Sequence, residues 1–190
     1  MPARARGAPA HWLGQIAIVD LEAVVERLAA RGSERLGPTV GTPDGARWAT
    51  VRDPFGAVIA VREGGPELEG HPISWHQLHT HDMEAAMSMY CELFGWVPTQ
   101  AVPGPDAGGY RLFAGRGSGN PIGFMGNTAR RPGVHAHWLY YFPVDDVKAC
   151  VARVRSLGGT AMDPVEFTGA SQLAACEDPQ GAAFGLVQRA

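Results

Sequence analysis

The sequence contains no apolar run of roughly eighteen residues, so no segment reads as a membrane-spanning helix. It also lacks an excess of positive charge. Sixteen Lys and Arg stand against nineteen Asp and Glu, a net charge of -3, which leaves no basic field for nucleic acid or an anionic membrane surface. Cysteine is scarce: Cys91, Cys150 and Cys176 are odd in number, far apart and without CxxC spacing. Two fall on predicted helices and one on a predicted strand, so buried reduced thiols are expected. The opening MPARARGAPA has no uncharged apolar core of signal-peptide type; residues 1–10 read as a flexible N-terminus and the chain as cytoplasmic.

What is present is material for a core. Hydrophobic residues make up 45% and charged residues 18% of 190, enough for one large domain or a small one with an appendage. The chain is also self-similar. HWLGQIAIVDLEAVVERLAARG from His11 matches HWLYYFPVDDVKACVARVRSLGG from His137, with Trp12, Leu13, Asp20 and Gly32 facing Trp138, Leu139, Asp146 and Gly158 at one constant offset. DPFGAVIAV from Asp53 matches DPQGAAFGL from Asp178 after a one-residue slip. WHQLHTHDMEAAMSMYCELFGW, 75–96, is a weaker third copy in which Asp82 replaces Asp146 and Gly95 replaces Gly159. Repetition of this kind signals an architecture built from one recurring module.

Each module opens with period-two apolar alternation, the mark of a strand. Asp20, Asp82 and Asp146 then occupy predicted helix N-caps, where a carboxylate can accept the free amides of the first turn. A helix of about three turns follows, ending near glycines suited to a left-handed C-terminal cap. Short strands complete the module, the last two joined by Asp-Pro-x-Gly in the first and third copies and by Gly-rich GRGSGNPIG in the second. The expectation is an α+β protein of repeated βαβββ modules. Its divisions are an N-terminal module at 11–63, a linker at 64–73 opened by GGP, and a two-module domain at 74–190, made of 74–126 and 134–190 around GNTARRPG.

These motifs, W-x-x-L-x-T-x-D from Trp75 and D-P-Q-G-A-x-F-G-L from Asp178, resemble the glyoxalase/bleomycin-resistance/extradiol-dioxygenase proteins, the vicinal oxygen chelate superfamily. Within it the chain is most similar to the tandem-domain, 27 kDa-antigen type, with three modules in place of four. The resemblance implies that two modules pair into a cupped, mostly antiparallel sheet with helices outside and one pocket within. Modules two and three would form that cup. The N-terminal module would then have no partner in the chain, and its uncovered edge predicts a homodimer through residues 11–63. Packing of this module on the back of the cup in a monomer is the alternative.

Strand alternation divides the histidines. Counting back from each capping Asp, Leu78 and Thr80 should lie under the helix, while Trp75, Gln77, His79 and His81 should look into the cup and His76 away from it. In metal-binding members of the superfamily, one ligand sits seven residues before this Asp and another near the end of the last strand. Carried across, the first position holds Trp75, Leu139 and Leu13; the second holds Gly123, Gly185 and Ala60. None offers a donor to an ion, so no metal or other cofactor is expected. The minor alternative is a divalent metal on His79 and His81 with help from His135 or His137.

The predicted ligand-binding residues are Trp75, Gln77, His79, Tyr110, Gly123, Phe124, Tyr141 and Gly185, glycines admitting flat groups and aromatic rings supplying stacking area. Other chemistries score poorly: GRGSG precedes no helix, and nothing like a nucleophile elbow surrounds Ser171. The leading functional reading is a metal-independent protein that holds a small molecule in the cup. One alternative is a lyase, isomerase or dioxygenase of the same superfamily using His79 as base or ligand. Another is an interaction protein whose cup is filled by its own side chains.

Overall fold

The computed structural model describes residues 10–66, 73–104, 106, 108–167 and 170–188. The N-terminus expected to be flexible, apart from Ala10, and most of the 64–73 linker lie outside the described residues. The chain divides into two compact units. The larger comprises 13–66 and 76–138; the smaller comprises 139–188 with 10–12 and 73–75.

In the larger unit the first module runs β1 (Gln15–Ile18), α1 (Leu21–Ala29), β2 (Glu34–Arg35), β3 (Val40–Gly41), β4 (Arg47–Arg52) and β5 (Val58–Glu63). Its strands are ordered β1-β5-β4-β2, with β3 also on β4. The second module runs β6 (Trp75–His79), α2 (Met83–Phe94), β7 (Val97–Val102), β8 (Tyr110–Ala114) and β9 (Pro121–Gly126), in the order β6-β9-β8-β7. The third runs β10 (His137–Pro143), α3 (Val147–Ser156), β11 (Thr160–Ala161), β12 (Val165–Phe167), β13 (Ala170–Glu177) and β14 (Ala183–Gln188). Its order is β11-β13-β14-β10, with β12 also on β13. In every module the first strand pairs parallel with the last and the remaining pairs are antiparallel. Parallel neighbours need a crossover connection, and the helix of each module lies within it. The protein is thus α+β with repeated modules, as the sequence implies.

The caps form as their residue types dictate. Asp20, Asp82 and Asp146 accept the amides of Ala23, Ala85 and Ala149 at 3.0, 3.1 and 2.9 Å. Gly95 closes α2 at φ 69°, a left-handed conformation that favours glycine. In the smaller unit Val147 and Val151 of α3 pack on Ala174, Cys176 and Leu186, with Phe142 and Val144 alongside.

The first module does not stand alone, which corrects the expectation that residues 12–63 lack a partner within the chain. Leu21 and Leu28 of α1 are fully buried. Arg27 donates to the carbonyl of Glu92 at the end of α2 at 3.0 Å, and Arg31 pairs with the Glu92 carboxylate. Gly56, in the Asp-Pro-x-Gly turn, approaches Ala136 so closely that an added Cβ would lie 3.5 Å from the alanine methyl. The second module supplies a complementary surface through α2 and the residues that lead into β10, so the module is covered from within on this side. The repeats show which pieces exist; they carry no information about which outer surfaces meet.

Candidate functional site

Strand phase on β6 is as its sequence requires. Leu78 is fully buried and lies beside Met125 of β9, which is equally buried. The opposite face carries two rows across three strands: Gln77, Phe124 and Leu112, then His79, Gly126 and Tyr110. Gly126 is a gap with a definite occupant. A Cβ there would fall 2.5 Å from Cδ1 of Tyr110, so the tyrosine ring lies over the bare backbone. That ring also meets Phe124, centroids 4.8 Å apart and tilted by 60°.

His79 is the most constrained polar group of this face. Its Nδ1 lies 2.5 Å from Thr128 Oγ1, just beyond the end of β9, and its ring stacks on His137 with centroids 4.4 Å apart and planes 14° from parallel. His135 follows at 5.0 Å from His137. Burial pushes the His79 imidazole down to about 3, and the neighbouring charges of His137, His135 and Arg131 add to the shift. His79 is therefore neutral at pH 7. His137 is also lowered, chiefly by burial. Its tautomer is fixed: Nδ1 donates to the carbonyl of His135 at 2.9 Å, and a carbonyl can only accept, so Nε2 carries the lone pair. Arg131 is held by Asp106 at 2.6 Å. Beside them the Tyr110 hydroxyl is raised, first by burial and then by Asp106, with Arg131 opposing.

The smaller unit carries Trp75, Leu139, Tyr141 and Gly185, all buried. Tyr141 and Gly185 are register partners on β10 and β14, and the tyrosine ring covers the glycine. Here too the missing side chain makes room for the protein's own ring rather than for a visitor, which corrects the reason given above for these glycines. A hollow of about 460 Å³ in this unit lies around Asp145, Lys148, Glu166 and Gln188 and contains none of these aromatic residues.

One facing is corrected. Gly123 pairs with His76, on the face opposite Gln77 and His79, and an added Cβ would meet the His76 carbonyl and the Phe113 ring. The residue beside Gln77, matching Gly185 beside Tyr141, is Phe124. Trp75, Leu139 and Gly185 in the smaller unit and Phe124 in the larger offer an indole, an alkyl chain, bare backbone and a phenyl ring, none of which is a donor to an ion. His81 lies past the end of β6, exposed, its carbonyl taking a hydrogen bond from Arg130 at 2.6 Å, so it does not join His79. Among the described residues no group of three or more His, Cys, Asp or Glu is placed to hold a metal ion. Thr128 and Arg131 escaped the sequence reading because they belong to a stretch read only as a separator between modules.

Comparison with known proteins agrees with this architecture. Residues 73–186, more than half of the chain, match the Glyoxalase/Bleomycin resistance protein/Dioxygenase superfamily. CFP32 of Mycobacterium bovis is 27% identical over 203 residues, spanning 100% of this chain and 74% of that protein. The anthracycline biosynthesis protein DnrV of Streptomyces peucetius is 34% identical over 196 residues, spanning 96% of this chain and 67% of that protein. Among solved structures, the Mn(II)-bound glyoxalase of Novosphingobium aromaticivorans superposes with a TM-score of 0.61 at 17% identity, covering 92% of this chain and 61% of the glyoxalase. The 2,3-dioxygenase LapB of Pseudomonas sp. KL28 gives 0.61 at 12% identity, covering 92% and 70%. These two likenesses concern the fold alone. Among the described residues no helix is long and apolar enough to cross a membrane. From its repeated modules and the match over residues 73–186, the chain belongs to the glyoxalase/bleomycin-resistance/dioxygenase superfamily.

Proposed function

We propose that this chain is a metal-independent enzyme of the lyase or isomerase kind, acting on a carbonyl-bearing aromatic small molecule through His79. The observation that carries the reading is the held, neutral imidazole of His79, stacked on a second imidazole of fixed tautomer. With the Thr128 hydroxyl donating to Nδ1, the Nε2–H of His79 is a donor for a substrate carbonyl. A neutral imidazole can polarise such an oxygen as its negative charge develops. The lone pair on Nε2 of His137 is the matching acceptor. In an isomerisation it takes the proton from the carbon beside the carbonyl, the C–H electrons pass into the enolate, and after exchange with solvent the protonated Nε2 returns a proton to that carbon. Depressed basicity suits His79 better to the donor role than to that of base.

The substrate class is supported by two observations. DnrV carries anthracycline biosynthesis in its name and is similar over nearly all of this chain. The face around His79 is aromatic, with Tyr110 and Phe124 in contact. A protein that sequesters such a molecule without converting it is the second reading, favoured by the loss of every ligand position for an ion. A reducing cytoplasm suits the three free thiols. A homodimer through residues 11–63 also belongs to this proposal: β1 stands at the edge of its sheet with Gln15 and Ala17 exposed, ready to pair with β1 of a second copy.

Incubation with a hydroxylated anthracyclinone in deuterium oxide tests the catalytic reading by mass spectrometry. The wild-type protein is expected to accelerate deuterium uptake beside the carbonyl, and His79→Gln to slow it roughly a hundredfold. Quenching of tryptophan fluorescence without deuterium uptake would leave sequestration; neither signal would overturn both readings. The neutrality of His79 has its own consequence. Its folded pKa lies below the unfolded value near ~6.5, so its contribution is complete above that pH and is lost as pH falls toward 3. Between pH 7 and 4.5 the wild-type chain should lose about 2 kcal/mol in urea titrations that His79→Gln does not lose; equal losses would show an ordinary, solvated imidazole. Light scattering should return twice the chain mass of 20.2 kDa for a dimer, and a particle of the chain mass at micromolar concentration would remove that proposal.

A further inference from the structure

Asp53 opens the Asp-Pro-x-Gly turn between β4 and β5, and its Oδ1 accepts the amides of Phe55 and Ala57 at 2.9 and 2.8 Å. Asp178 makes the same local bonds in the third module, to Gln180 and Ala182 at 2.8 and 2.9 Å. The turn therefore needs only one oxygen. Asp53 differs from its counterpart in what the second oxygen does. Asp53 is only 3% exposed, and Oδ2 accepts the hydroxyl of Tyr90 on α2 at 3.0 Å. The same Tyr90 oxygen accepts the indole N–H of Trp138 at 3.1 Å.

The relay runs through a packed aromatic cluster. Tyr90 stacks on Trp96 at 5.3 Å, Trp96 stacks on Phe113 at 4.7 Å, and Trp138 sets its edge against Tyr90 at 5.4 Å. A carboxylate buried among such groups is costly unless each lone pair is used, and burial accordingly raises the Asp53 carboxyl. Trp138 is the neighbour of His137 on β10, and adjacent strand residues point to opposite faces. Holding the indole against Tyr90 therefore fixes the face and height at which His137 meets His79.

We infer that the N-terminal module is a brace for the histidine pair, with Asp53 and Tyr90 as positioning residues acting through Trp138. Its bearing on catalysis rests on the function proposed above; the mechanical statement does not. Tyr90→Phe removes one hydroxyl and keeps the ring. Asp53→Ala removes both acceptors, whereas Asp53→Asn keeps one amide oxygen for the turn amides and turns an NH2 donor toward Tyr90 in place of the second acceptor.

The experiment is an NMR titration of the full chain labelled with 15N-histidine, combined with urea unfolding of the single and double variants. Tyr90→Phe should shift the His137 ring resonances and move its titration midpoint upward, toward that of a solvated imidazole, with His79 following. Asp53→Asn, which keeps the turn's acceptor and loses the one facing Tyr90, should move the histidine signals in the same sense as Tyr90→Phe, and Tyr90→Phe with Asp53→Ala should lose no more stability than the worse single change. If Asp53→Ala does not fold, Tyr90→Phe and Asp53→Asn still decide the matter. Destabilisation by Tyr90→Phe with both histidine signals and midpoints unmoved would reduce the relay to ordinary packing and overturn the inference. Moved histidines in a protein that shows no deuterium uptake would support the brace while removing the catalytic reading.

Discussion

A strand residue can take only one of two faces, and that restriction governs this molecule at β6 and β10. With Leu78 fixed under α2 by complete burial, Gln77 and His79 must lie on the other side. The parallel register then places Phe124 beside Gln77 and Gly126 beside His79. Nothing in this arrangement is adjustable by one residue, because a slip would carry Leu78 and Met125 out of the core. The imidazole therefore occupies its position for reasons of packing, and its chemistry follows from what packing puts around it. Burial removes its charge, Thr128 takes one nitrogen, and His137 covers its face.

The same constraint places rings over glycines in each unit. In the smaller unit Tyr141 covers Gly185, and in the larger Tyr110 covers Gly126. In the larger unit His79 is the register partner of Gly126 and so lies beside the Tyr110 ring. On the far side of the sheet, the first module contributes a buried carboxylate whose second oxygen is spent on Tyr90. Each of these groups is a member of a chain of contacts rather than an isolated pair.

Much of this was legible in the sequence. The constant offset between Trp12–Gly32 and Trp138–Gly158 announces the modules, and the three aspartates cap the three helices as their position requires. Facing on β6 followed from counting back from Asp82, because the cap fixes the strand's end. The partner strand β9 gave no such anchor. Its hairpin lacks Asp-Pro-x-Gly, so the count arrived one residue early, at Gly123 instead of Phe124. The role of glycine at 185 and 126 was also out of reach, since a gap in one strand says nothing of which ring will enter it. Hidden most completely was the joining of the first module to the second. Asp53, Tyr90 and Trp138 are 37 and 48 residues apart, on elements whose helical and turn patterns are accounted for locally. Non-local contacts of this sort leave no periodicity to read.

The proposed function requires a face that works through imidazole and aromatic carbon instead of an ion. Calorimetric titration of Mn2+ and of Zn2+ into chelator-dialysed protein addresses this directly. The expected result is no saturable uptake for either ion. Binding of one ion per chain that disappears in His79→Ala would contradict it.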